Sequence, residues 1–315
     1  MLDPELKPFL EIWSQSWKVL PENASPVDRR LLFEHIADQM RLPAPQDVSS
    51  EVRFVATEKR NVLVRIDRHR SAGAQPCLIY MHGGGWAQGS PATHADITMR
   101  IAASNRQTVV SIDYALAPEH PFPQAVHECR DTVTWVHENA DALGVDAQRI
   151  AVGGDSAGAN LAAAIAIDLI GSPYRLIAQL LIYPPVDFAM DRPSYSENAD
   201  GPLLKVAGMS AGHAAYCPNA EDRVNPLAAP LMAASHKGLP PAFIAVAEND
   251  PLRDDGHAYA DKLRAAGVAV ELDAGHGLIH GYLRAMAYCE ASRESFRRMC
   301  QWLAGRNQAG SGPLT

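Results

Sequence analysis

The chain has 315 residues, 47% of them hydrophobic and 20% charged, a composition that excludes global disorder and allows a large hydrophobic core. Its formal net charge of −8 disfavours binding to nucleic acid or to an anionic membrane, because both need a basic surface. The five cysteines include no CxxC pair, so we expect neither a disulfide framework nor a metal site.

The N-terminal part of the chain predicts helices and no targeting signal. Apolar side chains recur at helical spacing in residues 2–46, and two prolines break this stretch in two. A secretory signal needs a basic start followed by an apolar run, but this N-terminus carries the acidic residues Asp3, Glu5 and Glu11. No stretch approaches 18 continuous apolar residues. We therefore expect a cytoplasmic protein without stable membrane insertion.

From Val52 onwards the helical pattern gives way to strands. An early alternation of apolar and polar residues predicts a hairpin that turns near Lys59–Asn61. Six apolar runs then predict buried strands: Cys77–Met81, Thr108–Ile112, Ile150–Gly153, Leu176–Tyr183, Ala242–Ala247 and Val268–Leu272. Helical segments alternate with them: His94–Asn105, Ala125–Ala142, Ala157–Leu169, Gly256–Ala266 and Met286–Ala304. This alternation predicts an α/β fold, with a mostly parallel central sheet flanked by helices.

One segment interrupts the alternation, and another follows its end. Residues 187–223 are rich in Pro, Tyr, Asn and Gly and predict an insertion over the C-terminal edge of the sheet. Ligands bind at this edge in open α/β folds. Residues 305–315 predict a disordered tail. No internal repeat is visible, so we expect residues 1–315 to form a single domain.

A serine flanked by small residues follows the third of these strands, in the order Gly154-Asp155-Ser156-Ala157-Gly158. A strand before it and an apolar helix after it provide the context of the strained turn that exposes a nucleophilic serine. The flanking residues must be small because such a turn leaves no room for side chains. An incidental serine in a glycine-rich turn is the alternative that this motif alone leaves open.

A glycine-rich stretch directly follows the first of the six strands: His82-Gly83-Gly84-Gly85-Trp86. Glycine leaves backbone N–H groups unobstructed, and attack on a carbonyl creates an oxyanion that needs such donors. We expect Gly83, Gly84 and Ala157 to supply them, while His82 braces the loop without exchanging protons. A phosphate-binding loop is the alternative, but neither of its glycine motifs is present.

A nucleophilic serine needs a general base and a carboxylate that orients the base. In this fold class the chain order is serine, acid and then histidine. Asp250 and His280 each lie just past the C-terminal end of a predicted strand, at the same sheet edge as Ser156. Rivals for these roles stay open: Glu248, Asp254 and Asp255 for the acid, and His276 for the base.

Taken together, HGGGW at 82–86 and GDSAG at 154–158 resemble the hormone-sensitive lipase-like α/β-hydrolases, the bacterial family IV esterases. The segments DYALAPEHP, DPLRD and IHGY, which begin at Asp113, Asp250 and Ile279, agree with this resemblance. It covers about residues 52–304 and implies an α/β-hydrolase fold, carboxylesterase activity and no cofactor. It also implies that Asp250 is the acid and His280 the base, because these positions match the family's motifs.

The resemblance further implies a cap from about residues 1–47 and 187–223, over a catalytic core of residues 50–186 and 224–304. We expect the substrate pocket to include cap and strand-end side chains: Trp86, Tyr183, Leu204, Met209 and Tyr216. Side chains that only hold the cap on the sheet are the alternative. Relatives in this family often dimerise, and the final strand and C-terminal helix would provide a homodimer edge.

These features predict a serine hydrolase that cleaves small carboxylic esters with short-to-medium acyl chains. Ser156 would carry the acyl group, and water would release it. An amidase, a thioesterase or a lactonase would use the same triad, because all of these enzymes transfer acyl groups. A non-catalytic ligand receptor is a further alternative, although all three triad residues are present.

Overall fold

A computed structural model describes residues 1–21 and 23–309 of the chain. Its strands are β1 (Val48–Ala56), β2 (Asn61–His69), β3 (Gln75–Met81), β4 (Thr108–Ile112), β5 (Val145–Asp155), β6 (Gln179–Ile182), β7 (Ala242–Ala245) and β8 (Val270–Asp273). Its helices are α1 (Lys7–Trp17), α2 (Pro26–Gln39), α3 (Ala95–Asn105), α4 (Gln124–Glu138), α5 (Ala140–Leu143), α6 (Ala157–Asp168), α7 (Pro193–Glu197), α8 (Val206–Tyr216), α9 (Arg253–Ala265) and α10 (Glu290–Ala309).

The eight strands form one sheet in the order β1-β2-β4-β3-β5-β6-β7-β8. β2 pairs antiparallel with β1 and with β4, and all other neighbouring strands are parallel. Successive side chains of β3 point to opposite faces of the sheet, so Ile79 and Tyr80 belong to two separate hydrophobic clusters. The predicted α/β fold with a mostly parallel, helix-flanked sheet is thereby confirmed.

The N-terminal helices are separated as predicted, but Pro26 begins the second helix instead of breaking it. Ser25 caps α2: its hydroxyl accepts the Asp28 N–H at 3.1 Å, and the Asp28 carboxylate accepts the Ser25 N–H at 3.3 Å. Proline is suited to this first helical position because its missing N–H would have had no partner there.

The C-terminal helix corrects one prediction. α10 continues to Ala309, so the prediction of disorder is wrong for residues 305–309. The rest of that predicted tail, residues 310–315, lies outside the described residues. Of the helices that the structure describes, none has both the length and the apolar character needed to cross a membrane.

The insertion, residues 187–223, contains α7, α8 and a short 3-10 turn. Tyr195 and Met209 of the insertion form a small buried cluster with Leu252, which follows β7. This apolar contact fastens the insertion to the C-terminal edge of the sheet.

Candidate active site

Ser156 lies at the sharp turn between β5 and α6. Its backbone has a φ of 54° and a ψ of −124°, a conformation that is strained for any residue with a Cβ. The glycines on either side are sterically required, because a Cβ at Gly154 or Gly158 would collide with the carbonyl oxygen of Met81. The close approach of β3 therefore explains why this turn needs glycine at both positions.

Ser156, His280 and Asp250 form a hydrogen-bonded chain. The Ser156 hydroxyl lies 2.9 Å from Nε2 of His280, and Nδ1 of His280 lies 2.8 Å from Oδ2 of Asp250. A carboxylate only accepts hydrogen bonds, so the Nδ1–H donates to Asp250 and leaves Nε2 to accept the serine proton. Asp250 is fully buried, and its other oxygen accepts the N–H of Leu252 at 2.9 Å.

The pairing of the last two strands explains why Asp250 and His280 meet. Beyond the ends of β7 and β8, Asn249 and Ile279 form an isolated parallel bridge. The Asn249 N–H donates to the carbonyl oxygen of Leu278 at 2.9 Å. One residue further along each chain, Asp250 and His280 are therefore neighbours.

The rival acids and the rival histidine have other environments. Glu248 binds the N-terminal ammonium group and the Gly277 N–H, whereas Asp254 pairs with Arg253. Asp255 is buried against Arg192 at 2.8 Å, and burial is the main reason that its pKa is raised. His276 is exposed on the loop that leads to His280.

The glycine-rich loop after β3 contradicts one predicted oxyanion donor. The N–H of Gly83 donates to Oδ1 of Asp155 at 3.0 Å in the protein interior. It cannot also bind an oxyanion without losing that bond. The prediction of Gly83 as a donor is therefore wrong, because its N–H anchors the loop to the residue before Ser156.

Three other N–H groups near Ser156 are available to a substrate. Across residues 1–21 and 23–309, no hydrogen-bond acceptor faces the N–H of Gly84 or Gly85. Ala157 is the first residue of α6, where the backbone N–H has no partner within the helix. Gly85 and Ala157 line the same cavity as Ser156.

Beneath this loop, Asp155 is held as a buried carboxylate. It accepts the Tyr80 hydroxyl at 2.8 Å and lies 3.4 Å from Nε2 of His94, and the same nitrogen lies 2.8 Å from the guanidinium group of Arg284. Burial opposes ionisation of Asp155, but His94, Arg284 and the Tyr80 hydroxyl outweigh it and keep the pKa of this carboxyl well below its usual range. The charge stabilises the bond to the Gly83 N–H.

His82 is also buried in this region. Its Nδ1 lies 3.0 Å from the Gly83 carbonyl oxygen, and its ring stacks on Tyr114 at 4.2 Å. Burial is the main cause that lowers the pKa of His82 to about 3, and the nearby His94 adds to the effect. A histidine that stays neutral and packed in this way fits the expected role as a brace.

A cavity of about 480 Å³ opens above Ser156 and extends under α8. Of the predicted pocket residues, Trp86, Leu204 and Met209 line it. The other two do not, and their inclusion in the pocket was wrong. The ring of Tyr183 packs on His280 at 4.6 Å, and Tyr216 lies behind Trp86 with their rings stacked at 4.4 Å.

Sequence reasoning missed several residues of this cavity. They include Arg29, Gln88, Leu203, Lys205, His213 and Leu252. His213 was detectable, because it follows Met209 by four residues and two positions with this spacing share one face of a helix. The others come from separate segments, and no local pattern marks them.

Comparisons with known proteins agree with this geometry. A family model described as the α/β hydrolase fold matches residues 78–284. Carboxylesterase NlhH of Mycobacterium tuberculosis is 43% identical over 229 residues, which are 71% of each chain. Ethyl acetate hydrolase of Pseudomonas putida is 34% identical over 304 residues, 93% of this chain and 95% of the relative.

Solved structures are similar over almost the whole chain. The carboxylesterase EstE1, cloned from a metagenomic library, is 33% identical with a TM-score of 0.87 and covers 92% of this chain and 100% of its own. The ester-hydrolase EH1AB1 from the Lake Arreo metagenome, solved with a bipyridine phosphonate derivative, is 32% identical with a TM-score of 0.91. That match covers 97% of this chain and 99% of the other.

Proposed function

The chain belongs to the hormone-sensitive lipase-like group of the α/β-hydrolase family, and we propose that it is a carboxylesterase that forms an acyl-enzyme on Ser156. Its relatives and structural neighbours include proteins named carboxylesterase, arylesterase and ester-hydrolase. Esterase activity is therefore the general conclusion. The nucleophile, the acyl-chain range and the substrate pocket are the parts that we propose.

The hydrogen-bonded chain Ser156–His280–Asp250 carries the proposal. His280 takes the serine proton as the oxygen attacks the ester carbonyl, and Asp250 stabilises the imidazolium that forms. The alcohol leaves with the proton from His280. Water then enters, loses a proton to the same nitrogen and releases the acid from Ser156. Both halves of the reaction use one base, at 2.9 Å from the serine oxygen.

We assign the oxyanion site to the N–H groups of Gly84, Gly85 and Ala157. Negative charge appears on the carbonyl oxygen only as Ser156 attacks, so donors aimed at that position stabilise the transition state more than the ester. Gly83 is excluded because Asp155 already accepts its N–H.

The dimensions of the cavity support small substrates. Its volume of about 480 Å³ lies in the range of roughly 300–1,000 Å³ that is usual for small-molecule sites. Leu204 and Met209 give it apolar wall area from the insertion. We therefore propose esters with short-to-medium acyl chains, and a cap formed by the insertion together with the N-terminal helices.

The Ser156→Ala variant tests the nucleophile. Turnover of p-nitrophenyl acetate should fall by roughly 10⁴-fold or more, and labelling by a fluorophosphonate probe should disappear. Ser196→Ala, which changes an exposed serine of α7, is the matched control. It should keep both the turnover of p-nitrophenyl acetate and the labelling by the probe. A Ser156→Ala enzyme with most of its activity would rule out the proposed mechanism.

A series of p-nitrophenyl esters tests the acyl range. We expect kcat/KM to be high for the acetate, butanoate and hexanoate and to fall sharply towards the hexadecanoate. A maximum at hexadecanoate would contradict the proposal and indicate a lipase.

The cytoplasmic location and the homodimer edge at β8 and α10 stay predictions. Sedimentation equilibrium measures directly whether the protein forms a dimer.

A further inference from the structure

His213 is a buried polar side chain on the wall of the substrate cavity. It lies on α8, one turn after Met209, and both residues line the cavity that contains Ser156. Only 6% of His213 is exposed. The small exposed part of this side chain therefore belongs to the cavity surface.

Nothing that the structure describes satisfies the hydrogen-bonding capacity of this imidazole. Among the described residues, 1–21 and 23–309, no hydrogen-bond partner is found for either ring nitrogen of His213. Its closest ring neighbours are aromatic: Phe188 meets it edge-on at 5.1 Å, and Trp86 lies at 6.2 Å. The ring nitrogens are not among the fully buried atoms that lack a partner, so they reach the surface of the cavity, where water or a bound ligand supplies their partner.

The ring is also held in one place. Trp86, whose ring centroid lies 6.2 Å from that of His213, is itself fixed by stacking on Tyr216 with an angle of 5° between the ring planes. Phe188 limits the ring from another direction. A fixed hydrogen-bonding group costs little entropy when a ligand binds to it.

The charge of His213 narrows the chemistry of its partner. Burial is the main cause that lowers the pKa of His213 to about 4, the nearby Arg223 lowers it further, and Asp187 opposes them. The imidazole is therefore neutral at pH 7, with one N–H that donates and one nitrogen that accepts. A hydroxyl group can use either nitrogen, whereas a carboxylate can only accept.

We propose that His213 is a specificity-determining residue that binds a hydroxyl group of the substrate, away from the scissile carbonyl. The preferred substrates are hydroxy esters, with the hydroxyl in the acyl part or in the alcohol part. This inference rests on the proposed esterase function and names the substrate class of that same site.

Two matched pairs of esters test the proposal and distinguish the two positions of the hydroxyl. Ethyl 3-hydroxybutanoate against ethyl butanoate tests the acyl part, and 4-hydroxybutyl acetate against butyl acetate tests the alcohol part. The readout is the preference, defined as the ratio of kcat/KM for the hydroxy ester to that for the plain ester. Acid release at pH 7, followed in a pH-stat, gives kcat/KM for all four esters.

The wild-type enzyme should prefer the hydroxy ester in at least one pair. His213→Phe keeps an aromatic ring but removes both nitrogens, so that preference should fall roughly 5- to 10-fold, the loss of one hydrogen bond. His213→Gln keeps a donor and an acceptor and should retain most of the preference. Ser210→Ala, an exposed change on the same helix, should leave the preference unaltered.

Two results overturn the inference. One is a preference that His213→Phe leaves unchanged in both pairs. The other is a preference for monoethyl succinate over ethyl butanoate that depends on His213. This result would show that the imidazole selects a carboxylate. Wild-type protein that hydrolyses none of the esters and resists the fluorophosphonate probe would instead overturn the proposed function. Hydrolysis of every ester without dependence on His213 would leave that function intact.

Discussion

The carboxylate of Asp155 accepts the backbone N–H of Gly83 at 3.0 Å, so the residue before the proposed nucleophile anchors the loop that carries the proposed oxyanion donors. Two parts of the site that are 72 residues apart in sequence are thus positioned by a single buried side chain. This bond ties the alignment of the N–H groups at 84 and 85 to the position of Ser156.

Asp155→Asn should weaken this anchor, because the amide keeps the shape of the side chain but loses its charge. We expect kcat for p-nitrophenyl acetate to fall roughly 10- to 100-fold, less than or similar to the loss of an oxyanion donor itself. KM should change little, since the loop acts on the transition state. Steady-state kinetics measures both constants, and a kcat within twofold of wild type would contradict the anchoring role.

Asp250→Asn tests which carboxylate orients the base. Replacing the acid that accepts the His280 Nδ1–H should favour the wrong tautomer and lower kcat by roughly 10⁴-fold. The control is Asp254→Asn, because Asp254 pairs with Arg253 and not with His280. Its kcat should stay within a few fold of wild type. Equal losses in the two variants would argue against Asp250 as the orienting acid.

Gly158→Ala should destabilise the fold, because the added Cβ would collide with the carbonyl oxygen of Met81. We expect the free energy of unfolding in urea to fall by about 2–3 kcal/mol, in the range of overpacked interiors. Gly305→Ala is the control, since a Cβ at this position of α10 meets no atom within 4 Å. That variant should gain up to about 1 kcal/mol from its better helix propensity. A stable Gly158→Ala protein would show that β3 can move away.

Acid should destabilise the protein below about pH 6.5, where histidine of the unfolded chain begins to take up protons. In the folded state, burial lowers the pKa of His82 to about 3 and that of His213 to about 4, so neither takes up a proton until the pH is lower. At these two positions the unfolded chain binds more protons in this window, so their contribution to stability falls as the pH falls from 6.5 towards 4. The carboxyl of Asp255, whose pKa is raised to about 8 mainly by burial, contributes in the opposite sense. Urea unfolding at several pH values measures the slope.

His213→Phe removes one of these histidines and should make that decline shallower. The expected change is at most about 1.4 kcal/mol per pH unit, which corresponds to one proton. His120→Phe, at a histidine whose side chain is exposed, provides the comparison. Identical slopes in all three proteins would show that His213 is protonated as easily in the folded state as in the unfolded chain.

The sequence by itself determined the features that depend on neighbours in the chain. Apolar runs predicted β4 at its observed bounds, and the strand, small residues and apolar helix around Ser156 predicted the sharp turn. These signals are local because apolar runs, turn-forming residues and helix periodicity are patterns of residues close in sequence. Asp250 and His280 were selected from their rivals by family resemblance, and not by any pattern within this chain.

Only the tertiary structure decided which groups meet. Gly83 and Gly84 are adjacent glycines of one loop, yet Asp155 accepts the N–H of Gly83 alone. Likewise, Tyr216 and His213 lie on the same helix, but packing buries the first behind Trp86 and turns the second into the cavity. Such outcomes depend on contacts between segments far apart in the chain, whose relative placement is set by packing of the whole sheet and its insertion.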